Sequence, residues 1–235
     1  MPLQDSEHSP QLKKASRSRR KELEIDLPDD LVATDAISVM QMGAELRGLS
    51  LTGNADGLLA QQMTWRDCRL DRVSLAAARL ERLDGQELLF EHCVFTGAKL
   101  PRSALQRALF RGCRMTGVDF PDATLTDVIF EECKLDFASF RFARLKRVIL
   151  RDCVLTSADL GGAVTTAVGF ERCNLERAQL SQARLVGCDL RSSRLADLAG
   201  VTALRGAIIS PEQLLDLGPA LAAELGLDVR GAASS

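Results

Sequence analysis

The chain has 235 residues, of which 46% are hydrophobic and 26% charged, a composition that excludes a disordered protein and supports a sizeable core. Its net charge of -2, from 30 Lys and Arg against 32 Asp and Glu, excludes a strongly basic nucleic-acid binder and a strongly acidic protein on bulk charge. Two His and no Tyr leave few side chains for acid–base catalysis, so we expect no catalytic residues.

The N-terminal part of the sequence is polar and carries no targeting signal. No apolar signal-peptide core and no stretch near the ~18 apolar residues of a membrane span occurs, which predicts a cytoplasmic protein without a membrane partner. Residues 1–22, with a Lys- and Arg-rich run at 13–21, predict a disordered tail, with a weak electrostatic tether to nucleic acid or another acidic surface as the alternative. Residues 23–43 predict a strand or a segment covering the repeats that follow.

Residues 44–209 are organised by a five-residue repeat. Every fifth residue from Trp65 to Leu195 is Leu, Phe, Met or Trp, except Gly85 and Thr165. The residue two positions earlier is mostly Ala, Cys, Ser or Val. Neither a helix, at about 3.6 residues per turn, nor a strand, at about two, produces this period. The pattern therefore predicts that large and small side chains alternate along the chain and that both point into one core.

A period of twenty residues is superimposed on the repeat, and the cysteines display it: Cys93, Cys113, Cys133, Cys153 and Cys173. Four pentapeptides therefore make one turn. This predicts a four-sided solenoid whose parallel coils stack about 4.8 Å apart. Residues 61–200 give seven coils. Because the pattern is out of phase at 44–51, we expect residues 53–59 to be a loop or insertion that resets the register.

Residues 133–140, 143–150 and 158–160 resemble the A(D/N)LXX unit of the pentapeptide repeat family. The resemblance implies a right-handed quadrilateral β-helix, which agrees with the four-sided solenoid, and it is the source of the handedness. The expected fold class is therefore all-β, a pentapeptide repeat solenoid with a short C-terminal helical segment.

Residues 210–226 carry helix signals, and residues 227–235 are expected to be a tail. Ser210 and Pro211 fit the N-cap and first helical positions, while Gly218 and Pro219 predict a break, so we expect two short helices ending at Gly226. Their leucines are expected either to cap the last coil or to pair with a second subunit, as the C-terminal helix does in some members of the family that the chain resembles: Leu214, Leu215, Leu217, Leu221 and Leu225.

The side chains most suited to chemistry favour structural roles. All seven cysteines occupy the small inward position, so we interpret them as core packing and predict no metal site and no cofactor. His92 is predicted to be an exposed surface residue. Left-handed β-helical acyltransferases have a period of six rather than five, which argues against an enzyme.

Two outward patterns are candidate interaction surfaces. The first is an apolar stripe, spaced by twenty residues: Leu89, Leu109, Ile129 and Ile149. It could be covered by the N-terminal segment, a C-terminal helix, a second copy or another protein. The second is a basic and aromatic patch, suited to stacking and phosphate contact, with simple solvation as the alternative: Phe137, Arg141, Phe142, Arg144, Lys146 and Arg147.

The charge of the repeats bears on function. The best-defined group in the family that the chain resembles binds DNA gyrase or topoisomerase IV as an acidic rod shaped like DNA, and confers antibiotic resistance. Residues 61–200 carry 21 Lys and Arg against 18 Asp and Glu, although four acids cluster in one coil: Asp127, Glu131, Glu132 and Asp136. We therefore expect a non-catalytic, homodimeric protein-interaction scaffold, with DNA gyrase as the named candidate partner and direct nucleic-acid binding as the alternative.

Overall fold

The computed structural model describes residues 24–230, and these form a parallel β-solenoid of about 7 turns with one C-terminal helix. The predicted fold class is confirmed. The predicted tail at 1–22 lies outside the described residues. In the central coils each residue pairs with the one twenty positions later, as in the series Asp84, Ala104, Thr124 and Arg144. This register confirms that four pentapeptides make one turn.

The elements follow one another along the rod. The first are β1 (Val32–Asp35), α1 (Ala36–Val39), β2 (Glu45–Arg47), β3 (Leu49–Thr52), β4 (Leu59–Gln61), β5 (Thr64–Asp71) and β6 (Arg79–Glu81). The remainder are β7 (Asp84–Glu91), β8 (Ala104–Arg111), β9 (Thr124–Glu131), β10 (Arg144–Arg151), β11 (Val164–Thr166), β12 (Gly169–Glu171), a 3-10 turn (Val201–Leu204) and α2 (Pro211–Glu224).

The corners of the coils recur at every fifth residue and adopt the left-handed backbone conformation. Phe137, Phe142 and Arg147 have φ values of 57°, 56° and 53°. A non-glycine residue adopts this conformation at some cost, so it occurs here because the chain must turn sharply between sides. The corner side chains are exposed to solvent at these three positions. These three corners are therefore accessible to a partner.

The core is built from columns of like side chains. The rings of Phe90, Phe110 and Phe130 stack with centroids 4.3 and 4.8 Å apart. The spacing follows from the distance between paired strands, which brings the same side chain back at each turn. Phe95 and Phe140 pack edge-on against this column. The interior is consequently built mainly from stacked apolar side chains.

The small inward position next to each large residue carries a weak or strong hydrogen-bond donor in many coils. The Cys113 thiol donates to the Phe90 carbonyl at 3.6 Å, and the Ser103 hydroxyl donates to the Leu80 carbonyl at 3.2 Å. Both acceptors lie 23 residues earlier in the chain. Cysteine and serine therefore fill equivalent places in the solenoid.

The register changes near the N-terminus, but not by the insertion that the sequence predicts. Leu51 pairs with Leu70, nineteen residues on, whereas Asn54 pairs with Ser74, twenty residues on. One residue is therefore missing from the corner at Thr52 and Gly53. The prediction of a loop at 53–59 is wrong, since Ala55 is buried in the core and β4 pairs with β6 in ordinary register.

The first coil is covered by the residues that precede it. β1 extends the sheet in parallel beside β3. Asp35 then caps α1, its carboxylate accepting from the Ile37 backbone N–H at 3.0 Å. Ala36 and Met40 are buried at the end of the core. The terminal backbone and apolar surface of the solenoid are thereby shielded at this end.

The C-terminal end is covered by one helix rather than the two that the sequence predicts. α2 runs through Pro219 without a break. Proline removes the bond to the carbonyl of Leu215, but Leu215 is 81% exposed and water can solvate that oxygen. Ser210 is the N-cap, as predicted, in a reciprocal capping box with Gln213.

Candidate interaction surfaces

The seven cysteines are free thiols buried in the core. Burial raises the pKa of the Cys68 thiol. A thiol held protonated is a poor nucleophile and a poor metal ligand. Residues 24–230 contain no group of three or more His, Cys, Asp or Glu side chains placed to hold a metal ion.

His92 lies on a corner of the solenoid, where its side chain is exposed. Its ring lies against Gly112 of the next coil, where an added Cβ would come within 3.0 Å of His92 Cδ2. Its Nδ1 atom is 3.9 Å from the Asp71 carboxylate. The histidine therefore packs on the surface of the rod beside one acid.

The predicted apolar stripe is aligned in the structure. Leu89, Leu109, Ile129 and Ile149 are successive register partners on β7, β8, β9 and β10. The two central residues are only 8% and 7% exposed. The stripe is therefore not bare, because other side chains cover its middle.

The N-terminal segment lies along this stripe. Ile25 lines a shallow groove of about 310 Å³ together with Leu89, Leu109 and Ile129. The segment is fastened at both sides of Ile25, since the Arg107 guanidinium donates to the Glu24 carbonyl at 2.8 Å and the Asp26 N–H donates to Glu87 at 3.3 Å. Of the four candidates for what covers the apolar stripe, the N-terminal segment of the same chain therefore covers part of it.

A ladder of alternating charges runs beside the groove. The Arg111 guanidinium lies 3.6 Å from Glu91 and 2.9 Å from Glu131, and Arg151 lies 3.2 Å from Glu131 and 3.0 Å from Glu171. Each arginine therefore bridges two carboxylates in neighbouring coils. The Arg111 hydrogen bond holds the pKa of Glu131 below its usual value, with Arg151 acting in the same direction.

The acidic cluster predicted in the coil of β9 is partly neutralised by these contacts. Asp127 forms two hydrogen bonds with the Arg147 guanidinium, each 2.5 Å long, and these lower its pKa. Glu131 is held in the ladder. Glu132 and Asp136 form no ion pair with another described residue. Half of the cluster is therefore unavailable as free negative charge.

The cations of the basic and aromatic patch fall into two groups, those that pair with a carboxylate and those that do not. Arg141 is 2.9 Å from Asp159 and its guanidinium lies over the Phe142 ring, 5.3 Å from the centroid. Arg147 is held by Asp127. Arg144 and Lys146, by contrast, are exposed and form no ion pair among the described residues. The exposed Phe137 lies at the previous corner.

Gly161 and Gly162 explain how Phe142 is held. A Cβ at Gly162 would collide with the Phe142 ring, and one at Gly161 would lie 3.3 Å from the Arg141 guanidinium. The two glycines therefore leave the space in which the aromatic ring and the arginine rest. This role of the glycine pair was not recognised from the sequence.

The predicted cap or dimer residues separate onto two sides of α2. Leu217 is buried against the last coil, and Leu221 is half-buried. Gln213 is also buried, and its amide N–H donates to the carbonyls of Leu190 and Ser193. Leu214, Leu215 and Leu225 remain exposed. One side of the helix therefore caps the solenoid and another presents leucines to solvent.

A model of the pentapeptide repeat region matches twice, over residues 86–160 and 103–180, and a model of eight pentapeptide repeats matches residues 170–200. This chain is a pentapeptide repeat protein. Members of the family are generally non-catalytic structural or interaction proteins. No curated protein sequence matches the chain significantly.

Solved structures of pentapeptide repeat proteins resemble this one. A trypsin-treated variant of QnrB1, a plasmid-mediated fluoroquinolone resistance protein, is 19% identical, with a TM-score of 0.39, and the match covers 81% of this chain and 99% of that one. HetL, involved in heterocyst differentiation regulation in the cyanobacterium Nostoc sp., is 20% identical, with a TM-score of 0.40 and coverages of 70% and 89%. A protein of the Arabidopsis thaliana thylakoid lumen is 21% identical, with a TM-score of 0.19 and coverages of 63% and 72%.

Within the part of this pentapeptide repeat protein that the structure describes, the helices are too short or too polar to span a bilayer.

Proposed function

We propose that this pentapeptide repeat protein is a non-catalytic scaffold that binds other proteins through the sides and the C-terminal end of its solenoid. The observation that carries the proposal is the filled interior. A cavity between Phe130, Phe140 and Phe170 measures about 10 Å³, too small for more than about one water molecule. Chemistry-bearing side chains lie on the outside, where they are available to partners but not enclosed with a substrate.

The proposal includes a homodimer formed through α2. One side of α2 carries Leu214, Gly218, Ala222 and Leu225, with Leu215 beside them. Exposed leucines around two small residues suit close contact with the same surface of a second copy, since twofold interfaces are self-complementary. The free thiols support a cytoplasmic location, where thiols stay reduced.

Light scattering tests the dimer. We expect twice the monomer mass for the wild type, and the monomer mass for the double variant Leu215→Glu with Leu225→Glu. Leu59→Glu is the matched control, because Leu59 is an exposed leucine near the other end of the rod, and it should remain dimeric. A wild type that is monomeric throughout the micromolar range would refute the dimer.

DNA gyrase is the named partner to test, on the basis of the family resemblance. The charge distribution gives this finer proposal no support, because arginines neutralise Glu91, Glu131 and Asp127 and a mimic of duplex DNA needs dense free negative charge. If gyrase is the partner, added protein will inhibit supercoiling or protect it from a fluoroquinolone. No effect at a large molar excess would eliminate gyrase and leave the scaffold proposal standing.

A further inference from the structure

Three cations on one side of the solenoid form no close ion pair with a carboxylate of residues 24–230. Arg144 and Lys146 project from β10, and Val164 and then Arg184 follow Arg144 in register, one and two coils further on. All three cationic side chains are exposed. The outward residues of this side from Arg144 to Val186 include no carboxylate.

Unpaired cations such as Arg114 and Lys134 also occur on another side, but many arginines of the rod are paired. Elsewhere arginines such as Arg66, Arg111 and Arg172 are matched to a carboxylate in a neighbouring coil. The nearest acids cannot serve here, because Asp127 is already bound to Arg147 and Asp159 to Arg141. Unneutralised charge on two coils, that of β10 and the second coil after it, therefore remains available to a partner.

Exposed apolar side chains lie between and beside these cations. Val164 and Val186 are 41% and 69% exposed, and Phe142 is exposed at the adjoining corner. We call this surface the cationic face: Phe142, Arg144, Lys146, Val164, Arg184 and Val186. Its combination of fixed positive charge and apolar surface calls for a ligand that brings carboxylates and apolar groups together.

We propose that the cationic face docks an extended acidic segment of a partner protein, one in which carboxylates alternate with aliphatic side chains. The inference rests on the proposed scaffold function and names the chemistry of its partner. Arg144 and Lys146 are two residues apart on one strand, about 7 Å, which is the distance between alternate side chains of an extended peptide. The aliphatic side chains of such a peptide would cover Val164 and Val186.

The geometry at Phe142 favours a protein over a nucleic acid. Single strands are held by stacking bases on open aromatic faces. Here the Arg141 guanidinium already covers the Phe142 ring, and Gly162 packs against its edge. The ring therefore offers apolar contact but not an open stacking platform.

Fluorescence anisotropy with a labelled 12-residue peptide of alternating Asp and Leu tests the proposal at low and moderate salt. We expect saturable binding that Arg144→Glu with Arg184→Glu weakens at least tenfold, and that Val164→Ser with Val186→Ser weakens severalfold. The control Arg114→Glu with Lys134→Glu reverses two other unpaired, register-matched cations on a different side. It should change binding less than twofold.

Three outcomes overturn the inference: no peptide binding, equal weakening by the control variant, or stronger binding of a single-stranded 20-nucleotide DNA that depends on the same residues. The last outcome would assign the face to nucleic acid. Light scattering of the same variants tests the two proposals separately. The dimer depends on α2 and not on the cationic face, so the variants can lose peptide binding and still have the dimer mass.

Discussion

Trp65 and Gly85 are register partners in adjacent coils, so the largest side chain of the core lies next to a residue that has none. The space at position 85 is taken by two leucines. A Cβ there would lie 2.5 Å from Leu88 Cδ1 and 2.7 Å from Leu105 Cδ2. Gly85 occupies a position that is usually large, and Leu88 one that is usually small. The two departures from the repeat therefore compensate each other.

This compensation predicts coupling between the two positions. Gly85→Leu should destabilise the fold by about 1–3 kcal/mol through overpacking, and Leu88→Ala by about 2–5 kcal/mol through a cavity. The double variant restores the ordinary pattern and should cost clearly less than the sum. Urea unfolding measures all three. Gly85→Leu combined with the distant Leu155→Ala should instead be additive, and additivity in both pairs would contradict the interpretation.

The N-terminal segment should contribute to stability through Ile25. Ile25→Asp places a charge in the groove beside Leu109 and should cost about 1–2 kcal/mol, since the side chain is half-buried. Hydrogen exchange should rise at residues 24–27. Ile37→Asp is the control, because Ile37 is exposed on α1. If the two variants lost equal amounts of unfolding free energy, Ile25 would not be holding the N-terminal segment on the apolar stripe.

The charge ladder predicts a pH dependence that can be assigned to Glu131. Its pKa is lowered in the folded protein, so its contribution to stability is complete above its ordinary pKa, about 4.5, and is lost as the pH falls through the folded value. Glu131→Gln should cost about 1 kcal/mol at pH 7, a small figure because the pair is partly exposed. The difference in the free energy of unfolding between this variant and the wild type should shrink towards pH 3.

Glu132→Gln is the matched control for this measurement. The neighbouring Glu132 is exposed and forms no ion pair with another described residue. The free energy of unfolding of Glu132→Gln, measured in urea, should therefore equal that of the wild type across the same pH range. A Glu131 variant that also follows the wild type would show that the ladder adds nothing to stability.

The C-terminal cap predicts a strong effect at Gln213. Gln213→Met keeps most of the side-chain volume but removes the donor to the Leu190 and Ser193 carbonyls and the capping-box bond to Ser210. The loss of buried hydrogen bonds should cost about 1–3 kcal/mol. Circular dichroism and urea unfolding measure it. Glu212→Gln, at an exposed position on the same turn, should cost less than half as much, and a reversed order would contradict the capping role.

The five- and twenty-residue periods were sufficient to predict the solenoid, its large and small core columns and the alignment of Leu89, Leu109, Ile129 and Ile149. They were sufficient because a fixed period places residues separated by one turn in register. The same rule, applied to outward positions, would have revealed Arg184 as the continuation of the patch at Arg144. The predicted patch covers only residues 137–147 and therefore omits Arg184, which lies two coils further on.

The sequence alone determined which residues stack in each column, since backbone pairing between coils leaves no choice of neighbour. Only the tertiary structure decided which arginine meets which carboxylate: Arg111 bridges two glutamates, whereas Arg144 meets none. Long side chains select among several neighbours by local geometry, which a period does not encode. The missing residue at Thr52 and Gly53, the uninterrupted helix through Pro219 and the Ile25 cover likewise depend on contacts between segments that the repeat does not relate.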